Sequence, residues 1–125
     1  MTPTCGYHSL IQYCPDASRL EACNMGVLLF RLEPRVLLWR MSFCTVRIRR
    51  FFGRDGDLDA DYLLGLQWNI DDSLDREVPG ILTLADLEAF IGQLANEIRI
   101  TTPRPMVIES PEETLETLFR ELVLP

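Results

Sequence analysis

The sequence predicts an α+β domain in which an antiparallel sheet of three to five strands packs against three or four helices on one side. The first third of the chain contains short apolar runs with strand-type alternation, separated by turn-forming residues. Much of the remainder carries apolar residues at three- and four-residue spacing, which is typical of helices. A length of 125 residues with 47% apolar composition suits a hydrophobic core, so we expect a single domain over residues 1–125.

Three strands are predicted in the first 41 residues. Residues 7–13 alternate as a strand does, and Pro15 ends that pattern. Residues 25–32 are almost continuously apolar, which is expected of a strand covered on both faces in the middle of the sheet. Gly26 within that run indicates a bulge or a close backbone approach. Residues 36–41 are predicted to form the third strand, antiparallel to the second.

The segment 43–52 fits two patterns. Its aliphatic residues Val46 and Ile48 alternate with arginines as in a strand, whereas apolar residues also stand at i, i+4, i+7 and i+8 from Cys44. We assign this segment to a helix, and the strand alternative stays open.

Two central helices follow. Residues 58–74 are predicted to be helical because apolar side chains (Leu58, Tyr62, Leu66 and Ile70) recur every four positions. Thr83 is the predicted N-cap of the next helix. The apolar stripe of that helix consists of Leu87, Phe90, Ile91, Leu94 and Ile98.

The C-terminal part of the chain contains one extended segment and one helix. Residues 98–102 are predicted to be extended, in a short or edge strand because prolines follow closely. The last helix has Ser110 as N-cap, Pro111 at its first position and Glu113 completing a capping box. Its apolar face is expected to pack against the sheet.

Charge is distributed unevenly along the chain. The net charge is −7, yet residues 31–54 contain seven arginines and one glutamate, and the chain contains no lysine. Arg47, Arg49 and Arg50 are therefore predicted binding residues, either for a protein or for the phosphates of a nucleic acid. The acidic remainder of the chain disfavours nucleic acid as the partner, because acidic helices can cover the arginines.

Composition also bears on location and cofactors. No apolar run is long enough to span a bilayer and the N-terminus does not resemble a secretion signal, so a cytoplasmic location is expected. The four cysteines are expected to be reduced thiols, with a bridge between Cys14 and Cys23 kept as the alternative. These two, with Cys5 and His8, provide the ligand types of a Cys3His zinc site, but their spacing is unlike that of a zinc knuckle. We predict no metal and no cofactor.

The loop between the first two strands holds the densest group of polar residues with specific geometry: Asp16, Arg19, Glu21 and Asn24. A turn can direct several of them at one point, where Arg19 would donate two hydrogen bonds to an anion and Glu21 would orient it. The alternative is purely structural, with Asp16 capping the turn and the remaining residues satisfying one another. We assign all four as binding residues. No catalytic residue is assigned, because His8 is the only histidine and no nucleophile motif accompanies it.

The N-terminal strand and loop together carry a recognisable signature, made of Tyr7, Ser9, Ile11, Tyr13, Pro15-Asp16, Arg19, Glu21, Asn24 and Gly26-Val27. This signature resembles the opening of a family of small bacterial proteins known as domain of unknown function 3037. The end of the chain is similar to that family in Ile100-Thr101, Pro103-Arg104-Pro105 and the capped terminal helix. The resemblance covers most of the chain.

The resemblance implies a biological setting, since such proteins are often encoded beside kinases that resemble HipA toxins. We therefore expect a non-catalytic protein-binding or accessory module, partnered by a HipA-like kinase in a toxin-antitoxin-type system. Two alternatives stay open. One is a small-molecule or anion-binding enzyme that uses Arg19 and Glu21, and the other is a nucleic-acid-binding protein that uses residues 31–54. No membrane association is expected.

Overall fold

The structure is a computed structural model that describes residues 5–15, 22–43, 45, 46, 48, 50, 60–94 and 97–123. Five strands and three long helices are present in this part of the chain. The strands are β1 (Cys5–Tyr13), β2 (Cys23–Leu32), β3 (Arg35–Met41), β4 (Ile98–Ile100) and β5 (Arg104–Val107). The helices are α1 (Ala60–Glu77), α2 (Leu84–Gln93) and α3 (Pro111–Leu122), with a 3-10 turn at Val78–Gly80 after α1.

All strand pairs are antiparallel, and the sheet order is β3-β2-β1 followed by β4 and β5, which share the outer edge of β1. The predicted α+β class is thereby confirmed. The three N-terminal strands lie where the sequence predicts them, with β2 between two neighbours. Its side chains from Met25 to Arg31 are all buried, as the continuous apolar run indicates.

Gly26 is a point of close backbone approach, as predicted. A Cβ atom there would lie 2.6 Å from Met41 Sδ and 2.9 Å from the Arg40 carbonyl oxygen of β3. The pairing of β1 with β2 also shifts register beside it, because Ile11 pairs with Gly26 and the next residue, Gln12, pairs with Asn24.

Helices cover both faces of the sheet, whereas the sequence predicts them on one side. The larger core cluster joins α1 and α2 to one face, where Leu28 and Phe30 of β2 are fully buried. Val27 points to the opposite face and packs against Phe119 and Val123 at the end of α3. Adjacent strand residues point to opposite faces, so a strand that is apolar throughout needs a cover on each side.

The helices differ from prediction in detail. The buried positions of α1 are Leu63, Gln67, Ile70 and Leu74, while Tyr62 is exposed. A strict four-residue spacing drifts around a helix that has 3.6 residues per turn, so the predicted stripe does not stay on one face. Within the segment 43–52, the described positions 46, 48 and 50 are helical.

Helix caps give one confirmation and one correction. Thr83 caps α2 through a capping box with Asp86, in which each residue's backbone N–H donates to the other's side chain. Ser110 precedes α3 but its side chain makes no capping hydrogen bond, so the predicted capping box with Glu113 is not formed. Ile98 is predicted both as the last residue of the α2 stripe and as the start of an extended segment. It begins β4, as the second prediction states, because α2 ends at Gln93.

Candidate functional site

The predicted binding residues fall unevenly on the structure. Asp16, Arg19, Glu21, Arg47 and Arg49 lie outside the described residues, so their roles stay predictions. Two others are described: Asn24 lies near the start of β2, and Arg50 is exposed.

Asn24 of β2 forms hydrogen bonds with both β1 and α3 at the base of the loop. Its Oδ1 accepts a hydrogen bond from Gln12 Nε2 of β1 at 2.9 Å, and its Nδ2 donates to the Leu122 carbonyl oxygen of α3 at 3.0 Å. Carbonyl groups in the last turn of a helix lack intrahelical donors, so this amide satisfies one of them. The strand ends that flank the loop are therefore anchored to the C-terminus of α3.

A carboxylate with two tyrosines lies at the same end of the sheet. Tyr62 of α1 donates its hydroxyl proton to Glu97 Oε1 at 2.7 Å, and Tyr13 of β1 also hydrogen-bonds Glu97. Burial and then the charge of Glu97 raise the pKa of Tyr13 to about 12. Both phenols therefore stay protonated at neutral pH and act as donors. The Cys14 N–H donates to the Glu97 carbonyl at 2.7 Å, which fixes the cluster beside the start of the loop.

An aromatic surface lies at the β3 edge of the sheet, two strands away from β4. We call it the aromatic edge and define it as Trp39, Phe43 and Trp68. The rings of Phe43 and Trp68 stack with centroids 4.3 Å apart and planes inclined by 23°, and Trp68 is 55% exposed. Trp39 of β3 donates Nε1–H to Asp71 Oδ1 of α1 at 2.8 Å. In the described part of the chain, no strand pairs with the outer side of β3. Trp68 lies off the predicted apolar stripe of its helix, and that off-stripe position is the signal that could have identified it.

Topology places these features at one end of the molecule. Met41 pairs with Gly26, and the Ser42 N–H donates to the Met25 carbonyl at 2.8 Å, so β3 ends where β2 begins. Tyr13 pairs with Ile98, so β4 also begins there. We call this the loop end of the sheet. It holds Asn24, the Glu97 cluster and Phe43 of the aromatic edge, whereas Trp39 pairs with Leu28 in the middle of β2.

Three arginines of the basic segment have partners inside the molecule. Arg31 is buried and donates to the Pro34 and Ile108 carbonyls at 3.1 and 3.3 Å. Arg35 donates to the carbonyls of Val78 and Ile81.

Arg40 completes that set. It forms an ion pair with Glu116 of α3, and its guanidinium carbon lies 4.4 Å from the centre of the Phe119 ring. These arginines therefore join elements of the fold and do not form a continuous basic surface for phosphates.

The cysteines and candidate metal ligands are also placed. Cys5, Cys14 and Cys23 are present as thiols, the latter two buried, so no bridge joins Cys14 to Cys23. Among the described residues, no group of three or more His, Cys, Asp or Glu side chains lies close enough to hold a metal ion. Within the same ranges, none of the helices has the length and apolar character required to span a bilayer.

The fold gives the class of protein, and a sequence comparison gives its family. The chain is an α+β protein with a five-stranded antiparallel sheet. It belongs to the family described as "Protein of unknown function (DUF3037)", whose family model matches residues 8–123. Comparison with curated proteins and with solved structures gave no match.

Proposed function

We propose that this protein is a non-catalytic module that binds another protein through the loop end of the sheet. The observation that carries the proposal is the stacked pair of Phe43 and Trp68 at the β3 edge, with which no other described strand pairs on its outer side, and Trp68 is more than half exposed. Tryptophan is enriched among the residues that dominate binding energy at protein interfaces. A partner that covers this ring would remove a large apolar area from water.

The aromatic edge is prepared for binding before a partner arrives. Stacking holds Phe43 and Trp68, and the hydrogen bond to Asp71 fixes the indole of Trp39. Side chains that are already ordered lose little rotamer entropy on association, which otherwise costs about 0.5–1.5 kcal/mol each. Burial of rigid aromatic rings therefore contributes more binding free energy than burial of the same area on flexible side chains.

Two of the other predicted binding residues are described. Asn24 joins β1 to α3 beside the loop, and Arg50 is exposed in the helical segment that follows Phe43. Under the proposal, Asn24 and Arg50 provide polar contacts that orient the partner and speed its association, and Asp16, Arg19 and Glu21 stay predicted binding residues.

A protein partner fits these observations better than a nucleic acid does. The described arginines of strands β2 and β3 are engaged by carbonyl groups or by Glu116, and the whole chain carries a net charge of −7. Binding to a phosphate backbone depends on several free cations that release counterions. The resemblance to the family suggests a HipA-like kinase as the first partner to test, within a toxin-antitoxin-type pair.

Binding to a HipA-like kinase, measured by isothermal titration calorimetry, tests the proposal. We expect association at micromolar concentrations, and we expect Trp68→Ala to weaken it by about 30-fold, which corresponds to about 2 kcal/mol at a central interface residue. Leu82→Ala is the matched control, because Leu82 is 56% exposed but follows Ile81, which Arg35 holds at the opposite end of β3.

The two parts of the proposal fail in different ways. An absence of association at micromolar concentrations would contradict the kinase as partner. Association that Trp68→Ala and Leu82→Ala weaken equally would instead contradict the aromatic edge as the binding surface.

A further inference from the structure

The outer edge of β1 contains a gap between its two short partner strands. β4 pairs with residues 11–13 and β5 with residues 5–8, so Leu10 faces neither strand. Thr101 fills the gap by itself: its N–H donates to the Leu10 carbonyl at 2.9 Å, and its Oγ1 accepts from the Leu10 N–H at 2.8 Å. The Thr101 side chain thus takes the place of a backbone acceptor at this position.

A cleft of about 350 Å³ lies on the surface at this gap and is lined by Arg99, Ile100, Thr101, Thr102 and Arg104. Its volume lies at the lower end of the range for small-molecule sites. No carboxylate is among the described residues that line it.

The register directs both arginines to the same face of the sheet. Arg99 pairs with Gln12 and Arg104 pairs with His8, and residues directly opposite in an antiparallel pair share a face. Since His8 and Gln12 are four residues apart in β1, they also share a face. Arg99 and Arg104 therefore lie on one face of the sheet, with Thr101 and Thr102 between them along the chain.

The donors of the cleft are largely unused. Among the described residues, the Arg104 guanidinium and the Thr102 hydroxyl have no hydrogen-bond or ion-pair partner, and Arg99 makes one long contact of 3.5 Å to Gln12 Oε1. This contrasts with Arg31 and Arg35, each of which donates to two carbonyl groups.

Across the ladder from Arg104, His8 has a buried Nδ1 without a partner in the described part of the chain. Burial lowers the pKa of His8, and the positive charge of Arg104 lowers it further. His8 is thus largely uncharged at neutral pH. The positive charge of the cleft comes from its arginines.

We propose that this cleft is a binding site for a phosphate group, either free phosphate or the phosphate of a small ester. Two guanidinium groups match the charge of a dianion, and each presents planar pairs of N–H donors that fit phosphate oxygens. The threonine hydroxyls supply further donors. The cleft is larger than a phosphate ion alone, which leaves room for the remainder of an ester. This proposal is independent of the protein-binding function.

Titration with inorganic phosphate and with a nucleoside monophosphate, each at constant ionic strength, tests the site. Backbone amide shifts in ¹⁵N-edited NMR spectra report where each ligand binds, and we expect changes centred on residues 99–104. The double variant Arg99→Gln/Arg104→Gln should weaken binding at least 10-fold. Arg76→Gln is the matched control, because Arg76 is an exposed arginine paired with Asp72 on α1.

A single substitution tests the same site with less risk that the variant fails to fold. Thr102→Val keeps the shape of an exposed side chain and removes one donor, and we expect it to weaken binding about threefold to 10-fold. Tighter binding of the monophosphate than of phosphate identifies an ester as the ligand, and equal binding identifies the free ion. If neither ligand shifts the amides of residues 99–104, or if Arg76→Gln weakens binding as much as the double variant does, the proposal is overturned.

Discussion

Arg35 is joined to Ile81 by two hydrogen bonds, from Nε at 3.0 Å and from Nη2 at 2.8 Å to the same carbonyl oxygen. Nη2 also donates to the Val78 carbonyl at 2.5 Å. One guanidinium thus binds both ends of the 3-10 turn after α1 and connects that turn to the first residue of β3.

Arg35→Ala should lower the free energy of unfolding by about 1.5–3 kcal/mol, since hydrogen bonds from a charged donor are lost. Urea denaturation measures this, and Arg76→Ala, which removes an exposed i,i+4 pair, should change stability by less than about 0.5 kcal/mol.

Two glycines should respond in opposite ways to alanine. Gly26→Ala places a methyl group 2.6 Å from Met41 Sδ and 2.9 Å from a backbone oxygen, so we expect a loss of about 1–3 kcal/mol. Gly65 lies inside α1 and nothing stands within 4 Å of its Cβ position. Gly65→Ala should therefore raise the free energy of unfolding by up to about 1 kcal/mol. A Gly26→Ala variant as stable as the parent would contradict the close approach of β2 and β3.

Thr83 and Ser110 both stand at the N-cap of a helix, but their side chains should contribute different amounts to the free energy of unfolding. Thr83 Oγ1 accepts from the Asp86 N–H at 3.1 Å, whereas the Ser110 side chain makes no such bond. Thr83→Ala should cost about 1 kcal/mol. Ser110→Ala should cost only a few tenths of that, as measured by thermal or urea unfolding. Equal losses at both positions would show that Ser110 caps α3 in solution.

Gln67 is an unpaired amide in the core. It is fully buried, and neither its nitrogen nor its oxygen has a hydrogen-bond partner among the described residues. Burial of an unpaired amide costs about 1–3 kcal/mol in proteins. Gln67→Met, which is close to isosteric, should raise the free energy of unfolding by about 1–2 kcal/mol, while the same change at the exposed Gln93 should leave it unaltered. Destabilisation by Gln67→Met would reveal that the amide has a partner in solution.

Tyr13 makes the stability of the protein depend on pH in the alkaline range. Its folded-state pKa of about 12 lies above the ordinary value of 10.0, so the folded state holds this proton more tightly than the unfolded state. The corresponding stabilisation is complete below pH 10 and is lost as the pH rises from 10 towards 12. Ultraviolet titration of the phenols measures the shift. Glu97→Gln should lower the pKa of Tyr13, because it removes a negative charge, and an unchanged titration would exclude contact with Glu97.

Local signals made much of the fold predictable. Alternation and continuous apolar sequence defined the first three strands, and Thr83 marked the start of α2 because its capping partner is three residues away. β5 was not predicted, since Pro105 within it normally argues against a strand. An edge position tolerates a proline, and only the free outer side of β1 makes that position available.

The candidate site was less predictable because its contacts are distant in sequence. Asn24 was identified by its place in a polar loop, but its bond to Leu122 spans 98 positions. Glu97 had no local signal, since its tyrosine partners belong to β1 and α1. The cleft between Arg99 and Arg104 likewise arises from pairing with β1 and could not be seen in the local pattern.

The shared outer edge of β1 also governs the order in which the domain can be completed. Its partners are residues 98–100 and 104–107, which are synthesised long after β1 and β2. The nascent hairpin of β1 and β2 therefore carries a bare outer backbone edge until these segments emerge from the ribosome, and such an edge is open to edge-to-edge aggregation. Closure of this side of the sheet waits for the late segments.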